Sequence, residues 1–158
     1  MPVAKTPMIK VKRIDHVAIA VANRDASTAQ LSDLFGLAPG ASEHVAGQKT
    51  DVVFLHADAG AEGTTVELCA PAGNASLERF LETRGPGLHH VCFEVDDLPA
   101  TLASLQAAGV RLIDETPRLG ARGHAVAFLH PAATGGVLFE LCATNHQGGP
   151  SAAHQGGQ

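Results

Sequence analysis

The chain repeats itself, and no other feature limits its possible folds as much. Val66-Glu67-Leu68-Cys69-Ala70 returns as Phe139-Glu140-Leu141-Cys142-Ala143, 73 residues later. Phe54-Leu55-His56 returns as Phe128-Leu129-His130, and Ile14-Asp15-His16-Val17 is answered by Leu88-His89-His90-Val91, each 74 residues on. Val21 matches Val95, and Gly36 matches Gly109 at a spacing of 73. Matches in one order at one spacing read as two copies of a supersecondary module. The copies span residues 12–73 and 87–145, within one domain over 12–145.

Each copy reads as β-α-β-β-β. Residues 12–21 alternate, with Val17, Ile19 and Val21 on one face and His16, Ala18 and Ala20 on the other, which is the period of a strand. Arg24 to Phe35 reads as a helix started by Asn23 or Asp25 and stopped by Gly36. Strands follow near 41–45, at Asp51–His56 and at Thr64–Ala70, the last two joined by a turn at 59–63. In the second copy, a strand at 88–95 leads to a helix capped by Asp96 or Asp97. Leu98, Leu102 and Leu105 point inward there, and Gly109 stops the helix. Strands are expected near 110–113, 124–130 and 136–143. Asn74 to Arg84 reads as a linking helix with Leu77, Phe80 and Leu81 inward, ended by Gly85-Pro86-Gly87. Residues 1–11 are an N-terminal tail. Residues 146–158, rich in Gly, Gln and Ala without periodicity, are expected to form a flexible C-terminal tail.

Composition narrows the function. The chain has 158 residues, 45% of them hydrophobic, which suffices for one packed domain. Eleven Lys and Arg against sixteen Asp and Glu give a net charge of −5, so nucleic acid and anionic membranes are not expected as partners. Cys69, Cys92 and Cys142 form no CxxC and cannot all pair, which excludes a disulfide scaffold or zinc ribbon. Met1 to Arg13 lacks the apolar run of a signal peptide, and no stretch approaches the roughly 18 apolar residues of a membrane span. The expectation is a soluble cytoplasmic protein.

Period-2 geometry puts His16 on the face of its strand that carries the small Ala18 and Ala20, with His90 at the equivalent place in the second copy. Glu67 and Glu140 interrupt apolar strands at a second pair of equivalent positions. A carboxylate on a buried strand is costly unless paired or bound to a cation. A pseudo-two-fold axis between the modules would bring His16, Glu67, His90 and Glu140 to one point. Two imidazoles and two carboxylates suit a divalent ion such as Co, Ni, Mn, Zn or Fe. Other candidates carry less. His89 points away from His90 and reads as a supporting or packing residue, His130 is accounted for by the turn at Pro131, and Cys69 and Cys142 read as core thiols. The Gly-rich basic segment from Pro117 to His124 either holds a carboxylate or phosphate or is a plain loop. Lys10, Lys12 and Arg13 read as a solvated strand edge.

Three segments carry a family resemblance: Ile14-Asp15-His16-Val17-Ala18-Ile19-Ala20-Val21; Gly85-Pro86-Gly87-Leu88-His89-His90-Val91; and Phe128-Leu129-His130-Pro131 running into Gly135-Gly136-Val137-Leu138-Phe139-Glu140-Leu141. Over residues 12–143 the chain resembles the vicinal-oxygen-chelate superfamily, and within it the acyl-CoA epimerase branch. The resemblance implies an α+β fold in which two tandem βαβββ modules form a curved mixed sheet around a metal site. It implies His16, Glu67, His90 and Glu140 as ligands of a divalent ion, with cobalt first and nickel, manganese or zinc as alternatives. It further implies epimerisation of methylmalonyl-CoA by α-proton abstraction through a metal-stabilised enolate, with Glu140 and Glu67 as the acid and base, in a homodimer. A glyoxalase-like lyase shares the site, and a metal-free binding protein of the same fold would ordinarily lack it. An extradiol dioxygenase wants a Tyr or His near its oxygen site, and the chain has no Tyr.

The chain also departs from that branch. The position matching a second Glu of some epimerases falls near Val52. Gln30-Leu31 stands where Phe-Tyr is usual, and Gly47-Gln48-Lys49-Thr50 stands where Glu-Gln-Gly-Val is usual.

Overall fold

Nine strands form one mixed sheet flanked by three helices in a computed structural model that describes residues 6–57 and 63–144. The turn expected at 59–63 and the tail at 146–158 therefore fall almost wholly outside the described residues.

The first half of the chain runs β1 (Arg13–Ala20), α1 (Arg24–Phe35), β2 (Ala38–Pro39), β3 (Glu43–Val45), β4 (Thr50–His56) and β5 (Thr65–Pro71). Helix α2 (Ala75–Arg84) links it to β6 (Gly87–Glu94), α3 (Leu98–Ala107), β7 (Arg118–Leu119), β8 (Ala125–Leu129) and β9 (Phe139–Ala143). Each helix begins at a side-chain cap. Asn23, Asn74 and Asp97 accept from the backbone N–H three residues on, at 3.0 Å in each case, which satisfies a donor the helix itself leaves open. Gly36 ends α1 in the left-handed region at φ 66°, where a Cβ would be strained.

Hydrogen-bonded order across the sheet is β2-β4-β5-β1-β6-β9-β8-β7, with β3 pairing β4 outside that path. Strands β1 and β6 meet antiparallel at the centre, and each has a parallel partner on its other side, β5 and β9 respectively. The four central strands are thus β5, β1, β6 and β9. Outside them the core divides. Val21, Val53, Leu55 and Leu68 pack with Leu31 at α1, and Leu98, Leu102 and Leu105 of α3 pack on Val95, Ala127 and Leu141. Each such buried leucine contributes about 2 kcal/mol. On the other face, Ala18, Ala20, Phe54 and Cys69 meet Leu77 of α2.

Two expectations need correction. The stretch at 110–113 is not a strand; it touches β8 through a single bridge, Leu112 to Leu129. Asp114 explains why, since its carboxylate accepts the Phe128 N–H at 2.8 Å and so takes the donor that a continuing ladder would need. Inside the basic segment, by contrast, Arg118–Leu119 pairs with β8 as edge strand β7. Helix α2 covers part of the Ala18/Ala20 face through Leu77.

Candidate metal centre

Each central strand contributes one of the four residues singled out above: Glu67 from β5, His16 from β1, His90 from β6 and Glu140 from β9. Their placement follows from register. Ala18 lies between Glu67 on β5 and His90 on β6. Cys92 lies between His16 on β1 and Glu140 on β9. Two parallel rows thus cross the sheet, each with a small, fully buried residue at its middle. Rows so arranged bring four long side chains together above Ala18 and Cys92. The outer neighbours repeat the pattern, with Phe54 opposite Glu67 and Phe128 opposite Glu140. Phe54 meets His16 edge to face at 5.3 Å between centroids, and Phe128 meets His90 at 5.2 Å.

The polar tips converge. His16 Nε2 lies 3.2 Å from Glu67 Oε2 and 4.0 Å from Glu140 Oε2, and His90 Nε2 lies 3.5 Å and 3.0 Å from the same two oxygens. All four residues are at most 7% exposed. Yet His16 Nε2, His90 Nε2 and Glu67 Oε2 have no aligned hydrogen-bond partner among the described residues. They approach one another without donating to one another, as atoms do when aimed at a common centre. Leaving such buried atoms unsatisfied costs about 1–3 kcal/mol each. Ligands about 2.0–2.2 Å from one cation stand roughly 3–4 Å apart, and these donors have that spacing. The residues therefore fit a divalent metal ion.

The far side of each imidazole is also held. His16 Nδ1 lies 2.7 Å from Asp15 Oδ2, and Asp15 is 1% exposed. Strand alternation alone would aim Asp15 away from His16, but the β1–β6 register slips between Ile14 and His16 and turns the carboxylate inward. Arg122 reaches the same Asp15 oxygen at 2.6 Å, and Arg13 reaches the other at 2.9 Å. Arg13 is thus no solvated edge residue. His90 Nδ1 lies 2.9 Å from His89 Nδ1, and the Cys92 thiol donates to Glu140 Oε1 at 3.7 Å.

The charges are consistent with a cation site. Burial depresses the His16 pKa, but Asp15, Glu67 and Glu140 outweigh it and lift it to about 10, so positive charge is favoured at this point. Burial raises Glu67, while His16, His90 and Arg122 hold it below the usual carboxylate range. Burial pushes the Cys92 thiol up and keeps it a neutral donor.

A pocket of about 450 Å³ opens onto Glu67 and His90 and is lined farther out by Lys49, Asn74, Ser76 and Arg118. That volume suits a small-molecule site. Asp15, Arg122, Phe54 and Phe128 were not among the residues expected at the site, although the repeat of Phe54-Leu55-His56 as Phe128-Leu129-His130 carried a signal for the two rings.

A curled mixed sheet with two His and two carboxylates converging on its middle strands is an arrangement that fits a small-molecule enzyme with a divalent ion. A family model described as glyoxalase/bleomycin resistance protein/dioxygenase superfamily matches residues 15–128, and the chain belongs to that superfamily. Among its relatives, a mitochondrial methylmalonyl-CoA epimerase of Dictyostelium discoideum is 38% identical over 135 residues, covering 84% of this chain and 79% of the relative. An ethylmalonyl-CoA/methylmalonyl-CoA epimerase of Cereibacter sphaeroides is 37% identical over 134 residues, covering 83% and 97%. A solved methylmalonyl-CoA epimerase in complex with methylmalonyl-CoA and NH4+ superposes with a TM-score of 0.80 at 28% identity, covering 89% of this chain and all of that one. No helix among the described residues is long and apolar enough to cross a membrane.

Proposed function

We propose that this chain is a metal-dependent epimerase that inverts C2 of methylmalonyl-CoA, with His16, Glu67, His90 and Glu140 as metal ligands and Glu140 and Glu67 as the acid and base. The convergence of two carboxylates from opposite sides of the β1–β6 seam carries the reading. The names and bound substrate of the relatives support it.

Removing a proton α to a thioester leaves charge that delocalises onto the carbonyl oxygen as an enolate. A divalent cation in the centre supplies positive charge where that oxygen becomes negative. Inversion then needs one group to take the proton from one side of C2 and another to return a proton on the opposite side. Glu140 on β9 and Glu67 on β5 flank the centre in that sense. His16 and His90 hold position, while Phe54 and Phe128 keep the carboxylate tips out of bulk water. Lys49 and Arg118 line the same pocket and suit the anionic groups of a CoA ester. Cobalt is the ion favoured by resemblance, with nickel, manganese or zinc as alternatives. A homodimer is in keeping with the exposed Leu34, Phe35 and Leu88. Three free, buried cysteines suit a cytoplasmic enzyme.

The test is deuterium incorporation at C2 of methylmalonyl-CoA in heavy water, followed by mass spectrometry with cobalt-loaded protein and a chelated control. Cobalt-dependent uptake is expected. No uptake by protein that holds cobalt would overturn the epimerase reading and favour glyoxalase-type substrates.

A further inference from the structure

Arg122 sits in the Gly-rich basic loop that the mechanism above uses only through Arg118, and its backbone is unusual. It occupies the left-handed region at φ 58° and ψ 21° without being glycine, a costly conformation that persists only where surrounding contacts enforce it. Here they do. Its N–H donates to Glu43 Oε2 at 2.9 Å, which ties the loop to β3 in the other half of the sheet. Its guanidinium donates to Asp15 Oδ2 at 2.6 Å, the oxygen that also meets His16 Nδ1. The same guanidinium lies over Phe54, 4.0 Å from the ring centroid, and Phe54 packs edge to face on His16. Both supports of the His16 ring, the hydrogen bond at Nδ1 and the aromatic wall, therefore end on Arg122. Arg13 already offers a cation to the other Asp15 oxygen, so charge balance alone does not require Arg122.

We propose that Arg122 is a positioning residue that fixes the His16 imidazole for metal binding by clamping Asp15 and Phe54 together. This rests on the metal reading of the site, and it makes planar geometry, rather than positive charge, the property that matters.

Arg122→Lys keeps the charge and loses the planar fork and the ring contact. Cobalt affinity, measured by chelator competition, is expected to weaken about 10–100-fold in that variant, with a change in the visible ligand-field bands of the bound cobalt. Arg122→Gly relieves the backbone but takes a charged partner from the buried Asp15, so it is expected to fold with a somewhat lower melting temperature in the metal-free protein and to show the same spectral change. A merely structural role would lower the melting temperature and leave the spectrum of bound cobalt alone. Arg122→Lys with wild-type affinity and spectrum overturns the proposal, and so does an Arg122→Gly variant that loses its fold before cobalt is added. Wild-type protein that binds cobalt but gives no deuterium exchange overturns the epimerase reading and leaves this inference standing. Wild-type protein that binds no cobalt overturns both.

Discussion

His16 and His90 meet edge to face with ring centroids 5.5 Å apart and planes inclined by 75°, yet their outer nitrogens have unlike partners. His16 Nδ1 faces the Asp15 carboxylate, whereas His90 Nδ1 faces another imidazole, His89. Burial and the neighbouring His90 hold the His89 pKa down at about 4, so that partner is neutral. A carboxylate strengthens a ligating imidazole more than a neutral ring does. Asp15→Asn should therefore weaken cobalt binding about 10–100-fold, and His89→Asn, which keeps an acceptor at the same reach, by less than about tenfold. Chelator competition gives both numbers. Equal losses would contradict the asymmetry.

The two carboxylates separate by isotope exchange. Glu140→Gln and Glu67→Gln should each lower inversion about 10²–10⁴-fold while leaving cobalt detectable in the purified protein. With one base remaining, each variant should still exchange the C2 proton of one epimer of methylmalonyl-CoA, and the two variants should prefer opposite epimers. Full inversion in Glu140→Gln would sink the assignment.

Much of this arrangement is legible in the sequence. The quartet follows from the repeat, because equivalent residues on paired strands approach a common axis, and the central strands β5, β1, β6 and β9 carry one of the four residues each. What escaped were residues whose placement depends on departures from regular geometry. Asp15 reaches His16 only through the register slip in β1. Arg122 reaches Asp15 across 107 positions of chain, from a loop that no periodicity describes. From sequence that loop reads either as a holder of a carboxylate or phosphate or as a plain connection, and the carboxylate it holds belongs to the protein itself. Asp114 diverted a strand by taking one backbone N–H, an effect of a single side chain that averaged propensities do not register.

Metal removal should show in stability as well as in activity. A cation that binds only the folded chain stabilises it by about 2.7 kcal/mol at a hundred times its dissociation constant. For a chain of this size that corresponds to a melting temperature roughly 5–10 °C higher. Calorimetry of protein with cobalt and with excess chelator checks this. Glu67→Ala should reduce the cobalt-dependent rise, since it removes a donor with no other aligned partner.

Acid sensitivity can be assigned away from the centre, at Glu94. Burial alone would raise this carboxyl, but Arg13, Thr144 and Lys12 hold it below its ordinary value of 4.5. Its folded pKa lies under its unfolded one, so its stabilisation is present above about pH 4.5 and is lost as pH falls through the lower folded value. Glu94→Gln should cost about 1–2 kcal/mol at pH 7, a figure kept modest because Arg13 is about a third exposed. Urea unfolding at pH 7 and pH 3 should show the difference between the two proteins narrowing in acid. A gap independent of pH would count against the pairing.

Gly120 opens the loop that carries Arg122, and the reason for glycine there is contact rather than backbone angle. A Cβ at this position would stand 2.7 and 2.8 Å from the two γ-methyl carbons of Val126, closer than carbon atoms can approach. Val126 is 3% exposed and packed with Cys92 and Cys142, so it has little room to retreat. Gly120→Ala should therefore destabilise the fold by about 1–3 kcal/mol and lift the loop, weakening the hold of Arg122 on Asp15. Adding Val126→Ala removes the obstructing methyl groups. The double variant should then be more stable than the sum of the two single changes requires, with a favourable coupling of about 0.5–3 kcal/mol. Simple additivity in urea unfolding of the four proteins would mean that the loop accommodates the methyl group by some other route.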